Sequence, residues 1–373
     1  MRFIYPSVEF VEEEDPLKKI ELCGRLCYKS EPAGNPVGFV KRLIERGHMA
    51  MLEHCHFVFQ LFSTASMLLK ESCYGYPGVW QKSNLWGISR FVNITSSLKC
   101  AGDGPENLYI SGSPRAFREW FENTGNVVAA FCLLKIYVSY PVFVEDLISD
   151  VKAIAEKYLL ANDGIPPQIL LYKNQDAFFK SFTGKTISEF KKLATVEEFR
   201  STFNLLAPHI YQSIKFTTNR GVSHEIVRHR ICSIAQESTR YVNYAKASEL
   251  TFIIPPWAEF ISDHPDDFSL EDFTPELLEC FQESPEYYWY QNCLNCENDY
   301  LETVRRGYKP EQSRDALNHS VKTEIIMTAD LKEWHHFLDL RSRGLTGTPH
   351  PEMKVVADQA LNLFNGKYGD DVV

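Results

Sequence analysis

Residues 228–241, RHRICSIAQESTRY, concentrate side chains that bind anions. Arg228, Arg230 and Arg240 each carry a planar fork of donors that can grip two oxygens at once, which a lysine cannot do. Serine and threonine hydroxyls between them add donors, and a tight loop would turn backbone N–H groups toward the same point. The stretch therefore favours a ligand rich in phosphate or carbonyl oxygens, such as a nucleotide or a phosphate-bearing cofactor.

Two ordinary explanations of the stretch remain open at this point. A run of charges usually forms a solvated helix face, and Glu225 or Glu237 could neutralise the arginines internally. The formal net charge of the chain is −10, so general basicity does not explain the cluster. The same negative balance disfavours a protein that binds nucleic acid through a broadly basic surface.

Two further arginines occupy comparable settings. Arg314 follows the turn GYKPEQ, and Arg341 ends HHFLDLR, on the predicted helix face of Trp334 and Leu338. An arginine on an apolar face needs a partner, because an unpaired buried charge is costly. The alternative for each is an ordinary surface ion pair.

Several kinds of site are not indicated. The chain has no GxGxxG, GxxxxGK[ST] or GxSxG motif, so neither glycine-loop nucleotide binding nor a nucleophile elbow is predicted. Cys293 and Cys296 form its one CxxC, so we predict free thiols and no metal site. The first residues lack a signal-peptide pattern, and no apolar run reaches the ~20 residues that span a bilayer. We therefore expect a cytoplasmic protein without a membrane segment.

The elements that must position these residues form a mixed pattern. With 373 residues, 44% apolar and 24% charged, the chain has an ordinary globular composition. Alternation predicts strands at 55–62, 107–111, 213–220, 250–257 and 321–328. Periodicity and caps predict helices at 16–30, 36–46, 114–122, 144–160, 186–206, 221–229, 287–306, 309–317, 330–341 and 350–366. Because regular βαβ alternation is missing, we predict an α+β fold, an antiparallel or mixed sheet flanked by helices.

Helical spacing predicts which residues around the start of the stretch 228–241 share a helix face. In the predicted helix 221–229, four residues separate His224 from Arg228 and Glu225 from His229, which is about one turn. Asp330 is a predicted N-cap with Glu333 three residues on, and Ser113 is a second predicted N-cap.

The stretch 228–241 resembles the signature of the flavin-dependent thymidylate synthases, Arg-His-Arg followed by seven residues and a serine. GHMAMLEHCHFVF resembles that family's Gly-His-x-x-x-x-Glu-His segment, and RGYKPEQSRDAL its nucleotide-binding turn. TADLKEWHHFLDLR and HPEMKVVADQAL resemble its closing elements. The resemblance covers roughly residues 16–60 and 213–365, and it implies the family's fold, built from residues 1–61 and 213–373 around an insertion at 62–212.

The resemblance also implies an activity. Members methylate dUMP to dTMP, with methylenetetrahydrofolate as the one-carbon donor and FAD, reduced by NADPH, as the hydride source. They are homotetramers whose active sites lie between subunits, and they need no metal, nucleic acid or membrane.

The resemblance assigns roles to individual residues. It implies flavin contacts at His48, Glu53, Arg228, His229, Arg230, Asp330, Lys332 and His336. It implies dUMP contacts at Glu225, Arg228, Gln236, Glu237, Ser238, Thr239, Arg240, Arg314 and Arg341. Arg341 is the expected catalytic residue, because a fixed cation can stabilise negative charge on the uracil ring without a proton transfer. No base is placed by sequence to activate Ser238, so we expect it to bind phosphate.

The sequence departs from the family pattern at several positions. Ala50 stands where Ser or Thr is usual, Ala235 and Gln236 replace Asn and Glu, Glu225 replaces Gln, and Asn318 replaces Pro. These differences leave two alternatives open: methylation or hydroxymethylation of another pyrimidine nucleotide such as UMP, and noncatalytic binding of a nucleotide or RNA.

Overall fold

A computed structural model describes residues 1–32, 34–62, 65, 68, 92–96, 108–247, 249–261 and 269–369. The strands are β1 Arg2–Ile4, β2 Ser7–Phe10, β3 Phe57–Leu61, β4 Asn93–Ser96, β5 Leu108–Gly112, β6 Ile169–Leu171, β7 Tyr211–Asn219, β8 Ser233–Gln236, β9 Thr251–Ile253 and β10 Lys322–Asp330. The α-helices are α1 Pro16–Leu26, α2 Pro36–Glu45, α3 Pro114–Thr124, α4 Val127–Ser139, α5 Ile148–Ala161, α6 Gln175–Thr183, α7 Ile187–Leu193, α8 Val196–Leu206, α9 Arg220–Ile226, α10 Pro275–Glu283, α11 Pro285–Arg305, α12 Pro310–Ser313, α13 Leu331–Arg341 and α14 Pro351–Tyr368.

The central sheet has the order β2-β7-β10-β8 and is antiparallel. β7 and β10 pair over nine residues each, from Lys322 opposite Asn219 to Asp330 opposite Tyr211. Successive side chains of β10 point to opposite faces. Ile325 and Met327 enter the main core under α13 and α14, whereas Ile326 packs on Cys23 of α1.

A second sheet, of order β4-β5-β3-β6, is built around β3. β3 pairs antiparallel with β5 on one side and β6 on the other, and both partners come from the predicted insertion 62–212. The core beneath this sheet includes Phe59, Phe117 and Trp120, all essentially buried. The described part of the insertion thus forms a sheet of its own around β3, not an extension of the central sheet.

A third unit joins the N-terminus to the region after the signature. β1 and β9 pair in parallel, and Phe3, Phe252 and Tyr300 of α11 form the core between them. No helix of the described residues is both long enough and apolar enough to cross a membrane.

The predicted α+β class is confirmed, as are the predicted N-caps. The Ser113 side chain accepts from the Ala116 N–H, and the Asp330 side chain accepts from the Glu333 N–H. The predicted helix 186–206 is wrong in one respect, because it is two helices. Thr195 and Glu198 form a capping box that starts α8 anew.

Four predicted helix ends were also wrong, and the first of these is the helix predicted at 16–30, which ends at Leu26. The helix predicted at 221–229 ends at Ile226, and the helix predicted at 309–317 continues after Ser313 only as a 3-10 turn. The last helix runs past Gly366 to Tyr368, because Tyr368 is buried against Phe203 and Phe364 and its hydroxyl accepts from Gln212.

Trp334 anchors α13 to the central sheet. The side chain is fully buried among aromatic rings, and its Nε1 donates to the Gln212 carbonyl at 3.1 Å. We expect Trp334→Ala to lower the free energy of unfolding by about 3–5 kcal/mol, because it leaves a large cavity. Tyr288→Ala, at a side chain 72% exposed, should change it by less than ~0.5 kcal/mol. Urea unfolding followed by fluorescence measures both, and equal effects of the two substitutions would contradict this account of the core.

Candidate active site

Arg341, the predicted catalytic residue, lies at the end of α13 and contacts two signature-region residues. Its Nη1 donates to Glu225 Oε2 at 3.1 Å, and its Nε donates to His229 Nε2 at 3.2 Å. Trp334 and Leu338, on the same helix, are buried in the main core. The helix is thereby fixed, and the guanidinium at its end is held in one orientation.

The backbone after α9 explains why Glu225 and His229 meet at one guanidinium. α9 ends at Ile226, and the chain then turns, with the His229 N–H donating to the Ile226 carbonyl at 3.1 Å. The His229 ring packs edge-on against Phe337 of α13, with centroids 4.9 Å apart. The chain therefore leaves the predicted helix after Ile226, and the turn that follows still places both side chains beside the same guanidinium.

His229 is held neutral by its surroundings. Burial lowers the pKa of His229 to about 4, and the nearby Arg341, His336 and Arg228 lower it further in the same direction. Because Nε2 accepts from Arg341, the ring proton of the neutral form lies on Nδ1. His229 thus acts as a hydrogen-bond acceptor that orients Arg341.

The loop that follows β8 is fastened to the protein interior. Gln236 Nε2 donates to Ser223 Oγ at 2.8 Å and to Thr323 Oγ1 at 3.3 Å. The buried Glu237 carboxylate accepts from Lys322 Nζ at 3.1 Å. The alternative in which Glu237 neutralises the signature arginines is therefore wrong, since its charge is paired with Lys322.

The hydroxyl residues of this loop shape its backbone. The Ser238 N–H donates to the Cys27 carbonyl at 3.1 Å, and Ser238 Oγ accepts from the Arg240 N–H at 3.3 Å. Thr239 is buried. The Arg240 guanidinium lies over the Tyr241 ring, 5.2 Å from its centroid.

The signature arginines themselves point outward. Arg228, Arg230 and Arg240 are exposed, and no carboxylate of the described residues forms an ion pair with them. Arg314 is also exposed, with Asp315 at 3.9 Å. Such exposure fits both a solvated face and an anion site that another subunit completes.

Glu53 and Asp330, two predicted flavin contacts, are largely buried. Glu53 Oε1 accepts from Arg115 Nη1 at 2.7 Å, and its Oε2 accepts from Ser233 Oγ at 3.2 Å. Burial raises the pKa of Glu53, and the Arg115 charge opposes that rise. Asp330 Oδ2 accepts from Asn93 Nδ2 at 2.9 Å.

Sequence reasoning missed Arg115 and Asn93, because both belong to the segment 62–212. Glu53 and Asp330 both line a small cavity of about 20 Å³, and His56, Ser113 and Tyr211 are among its other lining residues. This volume holds about one water molecule. One weak signal was available, since Arg115 directly follows the N-cap and proline of a predicted helix.

The remaining predicted flavin residues form an exposed, largely cationic set. They are His48, Arg228, Arg230, Lys332 and His336. Arginine forks and an ammonium group suit the pyrophosphate of a dinucleotide. The residues present therefore fit FAD on an open surface.

Two departures from the family pattern have structural explanations. Ala235 is buried with Cys23 and Ile326, where a larger polar side chain would lack space and partners. The Asn318 side chain donates to Asn292 at 2.7 Å and accepts from the Ser320 N–H at 3.0 Å, so it stabilises the turn before β10.

The low pKa of His229 gives a pH-dependent prediction. The unfolded chain binds a proton at this residue near pH 6.5 and the folded chain only near pH 4, so between these values the unfolded state holds more protons. Stability should therefore rise with pH across this window, and its His229-dependent part should be complete above pH 6.5. NMR titration of the imidazole should show a midpoint near 4 that moves upward in Arg341→Gln. An ordinary midpoint in the unsubstituted protein would refute the described environment.

Comparison with known proteins identifies the region that contains this site. Residues 197–368 match the family model described as "Thymidylate synthase complementing protein". A flavin-dependent thymidylate synthase of Thermococcus onnurineus (strain NA1) is 32% identical over 127 residues, which cover 33% of this chain and 42% of that protein. The chain thus spans less than half the length of this relative.

Solved structures overlap more loosely. The UMP/dUMP methylase PolB of Streptomyces cacaoi, bound with 5-Br UMP, is 16% identical with a TM-score of 0.36, over 51% of this chain and 83% of that one. A flavin-dependent thymidylate synthase of Helicobacter pylori, complexed with FAD and dUMP, is 20% identical with a TM-score of 0.31, over 49% of this chain and 79% of that one. Structural similarity at TM-scores this low does not bear on function. By sequence, residues 197–368 of this chain match the model of thymidylate synthase complementing proteins, and 127 residues are similar to a flavin-dependent thymidylate synthase.

Proposed function

We propose that the protein is a flavin-dependent thymidylate synthase, which methylates dUMP to dTMP. One observation carries the proposal: the sequence match at 197–368 contains both the signature and Arg341, and Arg341 lies within hydrogen-bond distance of the signature histidine. The 127-residue alignment with the Thermococcus enzyme, at 32% identity, supports the same activity. The proposal extends to methylenetetrahydrofolate, NADPH, a homotetramer and a cytoplasmic location, as the family resemblance and the sequence imply.

The chain's own residues suit the charge changes of this reaction. Methylation at carbon 5 of uracil requires negative charge to be stabilised on the ring. Arg341 offers a guanidinium fork, and Glu225 and His229 fix its orientation before substrate arrives. Arg228 and Arg240 expose donors for the nucleotide phosphate, and hydrogen bonds of Gln236 and Ser238 hold the backbone that leads to Arg240.

FAD would supply the hydride, so the proposed reaction needs no nucleophilic cysteine. Cys232 lies inside the signature, but burial raises its pKa to about 12, so it is a thiol rather than a thiolate. Arg228, Arg230, Lys332 and His336 would hold the cofactor from the surface described above, and His229 would face it as a neutral imidazole.

Gln236 favours one second candidate, methylation of UMP or a related nucleotide. Where the family usually has a glutamate, this neutral amide is bonded to Ser223 and Thr323, so the loop carries one charge fewer beside the expected substrate. That difference bears on the sugar and base contacts, which decide between ribonucleotide and deoxyribonucleotide.

The flavin spectrum and a tritium-release assay test the proposal. Purified protein should be yellow, or become so with added FAD, and the flavin absorbance should change when dUMP is added. Tritium should then be released from carbon 5 of labelled dUMP in the presence of the folate donor and NADPH. A colourless protein that ignores FAD would exclude the activity, and release from UMP alone would replace dUMP with UMP as substrate.

Arg341→Lys separates charge from geometry. Lysine keeps the positive charge but cannot bond Glu225 and His229 as a fork, so we expect kcat to fall by about 10²-fold or more with FAD still bound. Arg343→Lys is the matched control, because Arg343 pairs with Asp339 just beyond the same helix. Turnover under saturating substrates measures both, and unchanged turnover in Arg341→Lys would remove this residue from the mechanism.

A further inference from the structure

The two buried carboxylates predicted to contact the flavin are each held by a side chain from the segment 62–212. Arg115 donates to Glu53 at 2.7 Å, and Asn93 donates to Asp330 at 2.9 Å. Both contacts join distant parts of the chain, 62 residues apart in the first case and 237 in the second. Two independent contacts therefore connect this segment to the candidate site.

Strand pairing brings Arg115 to Glu53. β5 runs antiparallel to β3 with Gly112 opposite Phe57, so the chain after Gly112 continues beside the residues that precede β3. Ser113 caps α3 there, and Arg115 lies in its first turn. Its guanidinium also donates to Glu119 at 2.6 Å, one turn further along the helix. The guanidinium is therefore clamped between two carboxylates.

A second sheet contact brings Asn93 to Asp330. In the central sheet Asp330 pairs with Tyr211, and Asn93 Nδ2 lies 2.6 Å from the Tyr211 hydroxyl. The same amide donates to the Pro208 carbonyl at 2.7 Å. Asn93 is buried, so its hydrogen bonds fasten the edge of the second sheet to the end of the central sheet.

We propose that Arg115 and Asn93 are positioning residues of the flavin site, which makes the described part of the segment 62–212 a part of that site. The proposal rests on the proposed function, because it takes Glu53 and Asp330 to be flavin contacts. Arg115 would orient the Glu53 carboxylate and keep it ionised, and Asn93 would orient Asp330. Neither residue is required to touch the flavin itself.

The charges around Glu53 give Arg115 a specific electrostatic role. Burial raises the pKa of Glu53, Arg115 and a hydrogen bond from Ser233 lower it, and Glu119 raises it. His56, Asp330 and Glu333 line the cavity beside Glu53, and burial keeps the pKa of His56 well below its usual value. Arg115 is thus the cation that favours ionised Glu53, and its removal should let Glu53 take up a proton at higher pH.

The test compares the variant Glu119→Gln, which is the parent, with the double variant Arg115→Gln/Glu119→Gln. In both proteins the second carboxylate that holds Arg115 has been replaced by a neutral amide. FAD affinity is measured by flavin fluorescence from pH 5 to pH 8. Affinity should fall about tenfold at pH 7 on removal of Arg115, and its loss toward acid should begin at higher pH, because Glu53 protonates earlier. Arg115→Lys, which retains the charge, should restore the pH profile. Asn93→Ala should weaken FAD binding.

A readout without flavin isolates the Arg115–Glu53 interaction. With Glu53 ionised, loss of Arg115 leaves a buried charge unpaired, whereas protonated Glu53 loses little. Urea unfolding of the flavin-free protein should therefore show a larger destabilisation by Arg115→Gln at pH 8 than at pH 5. A pH-independent loss would mean that Arg115 acts only through packing, which would overturn its positioning role.

Asp146→Asn is the matched control within the segment. It weakens the Arg118–Asp146 pair at 2.7 Å, which joins two elements of the segment, and should leave FAD affinity unchanged. If the parent binds FAD and Arg115→Gln binds it equally with the same pH profile, the inference fails while the proposed function stands. If the parent binds no FAD at all, the proposed function fails, and the flavin-free unfolding still measures the Arg115–Glu53 interaction.

Discussion

The nine-residue antiparallel pairing of β7 and β10 is the constraint on which the candidate site depends. Because the strands run in opposite directions, β7 leads into α9 at one end of the sheet and β10 leads into α13 at the other. Both helices return over the same face, where Val222, Ile226, Trp334 and Leu338 share one core. The end of α13 therefore meets the end of α9, and Arg341 reaches Glu225 and His229.

The two classes of charge in this region behave differently because their solvation differs. Arg341 and Glu53 are partly or largely buried, and each has an oppositely charged partner within 3.1 Å. Arg228, Arg230 and Arg240 are exposed and keep their hydration. Such a surface can exchange water for an anionic ligand at modest cost, whereas the buried pairs hold fixed geometry. The region therefore combines one guanidinium in a fixed orientation, that of Arg341, with three exposed guanidinium groups that are free to bind an anion.

The second sheet shows how the described part of the segment 62–212 is connected to the candidate site. A separate module would bury its core independently and share little with the site. Here β3, which follows directly after the Gly-His-x-x-x-x-Glu-His segment, is the central partner of β5 and β6. Glu53 and β3 are consecutive parts of one chain, so whatever fixes β3 also fixes Glu53. The stability of the segment and the geometry of Glu53 are therefore coupled through the backbone.

The sequence by itself determined the features that depend on local physics. The alternation of apolar and polar residues predicted β10, and the N-caps Ser113 and Asp330 predicted the starts of α3 and α13. The spacing RHR-x7-S indicated the family that the sequence resembles. The signature arginines could be predicted as a candidate anion site because the fork of donors is intrinsic to the side chain.

Only the tertiary structure decided which partners those residues have. Glu225 pairs with Arg341 and Glu237 with Lys322, and no local rule links residues 116 or 85 positions apart. The sequence pattern predicted that α9 continues to His229. In the structure the helix ends at Ile226, and the turn that follows packs His229 on Phe337. Arg115 and Asn93 could not be found for the same reason. Their contacts with Glu53 and Asp330 arise from strand register, and register is set by which apolar faces are buried together.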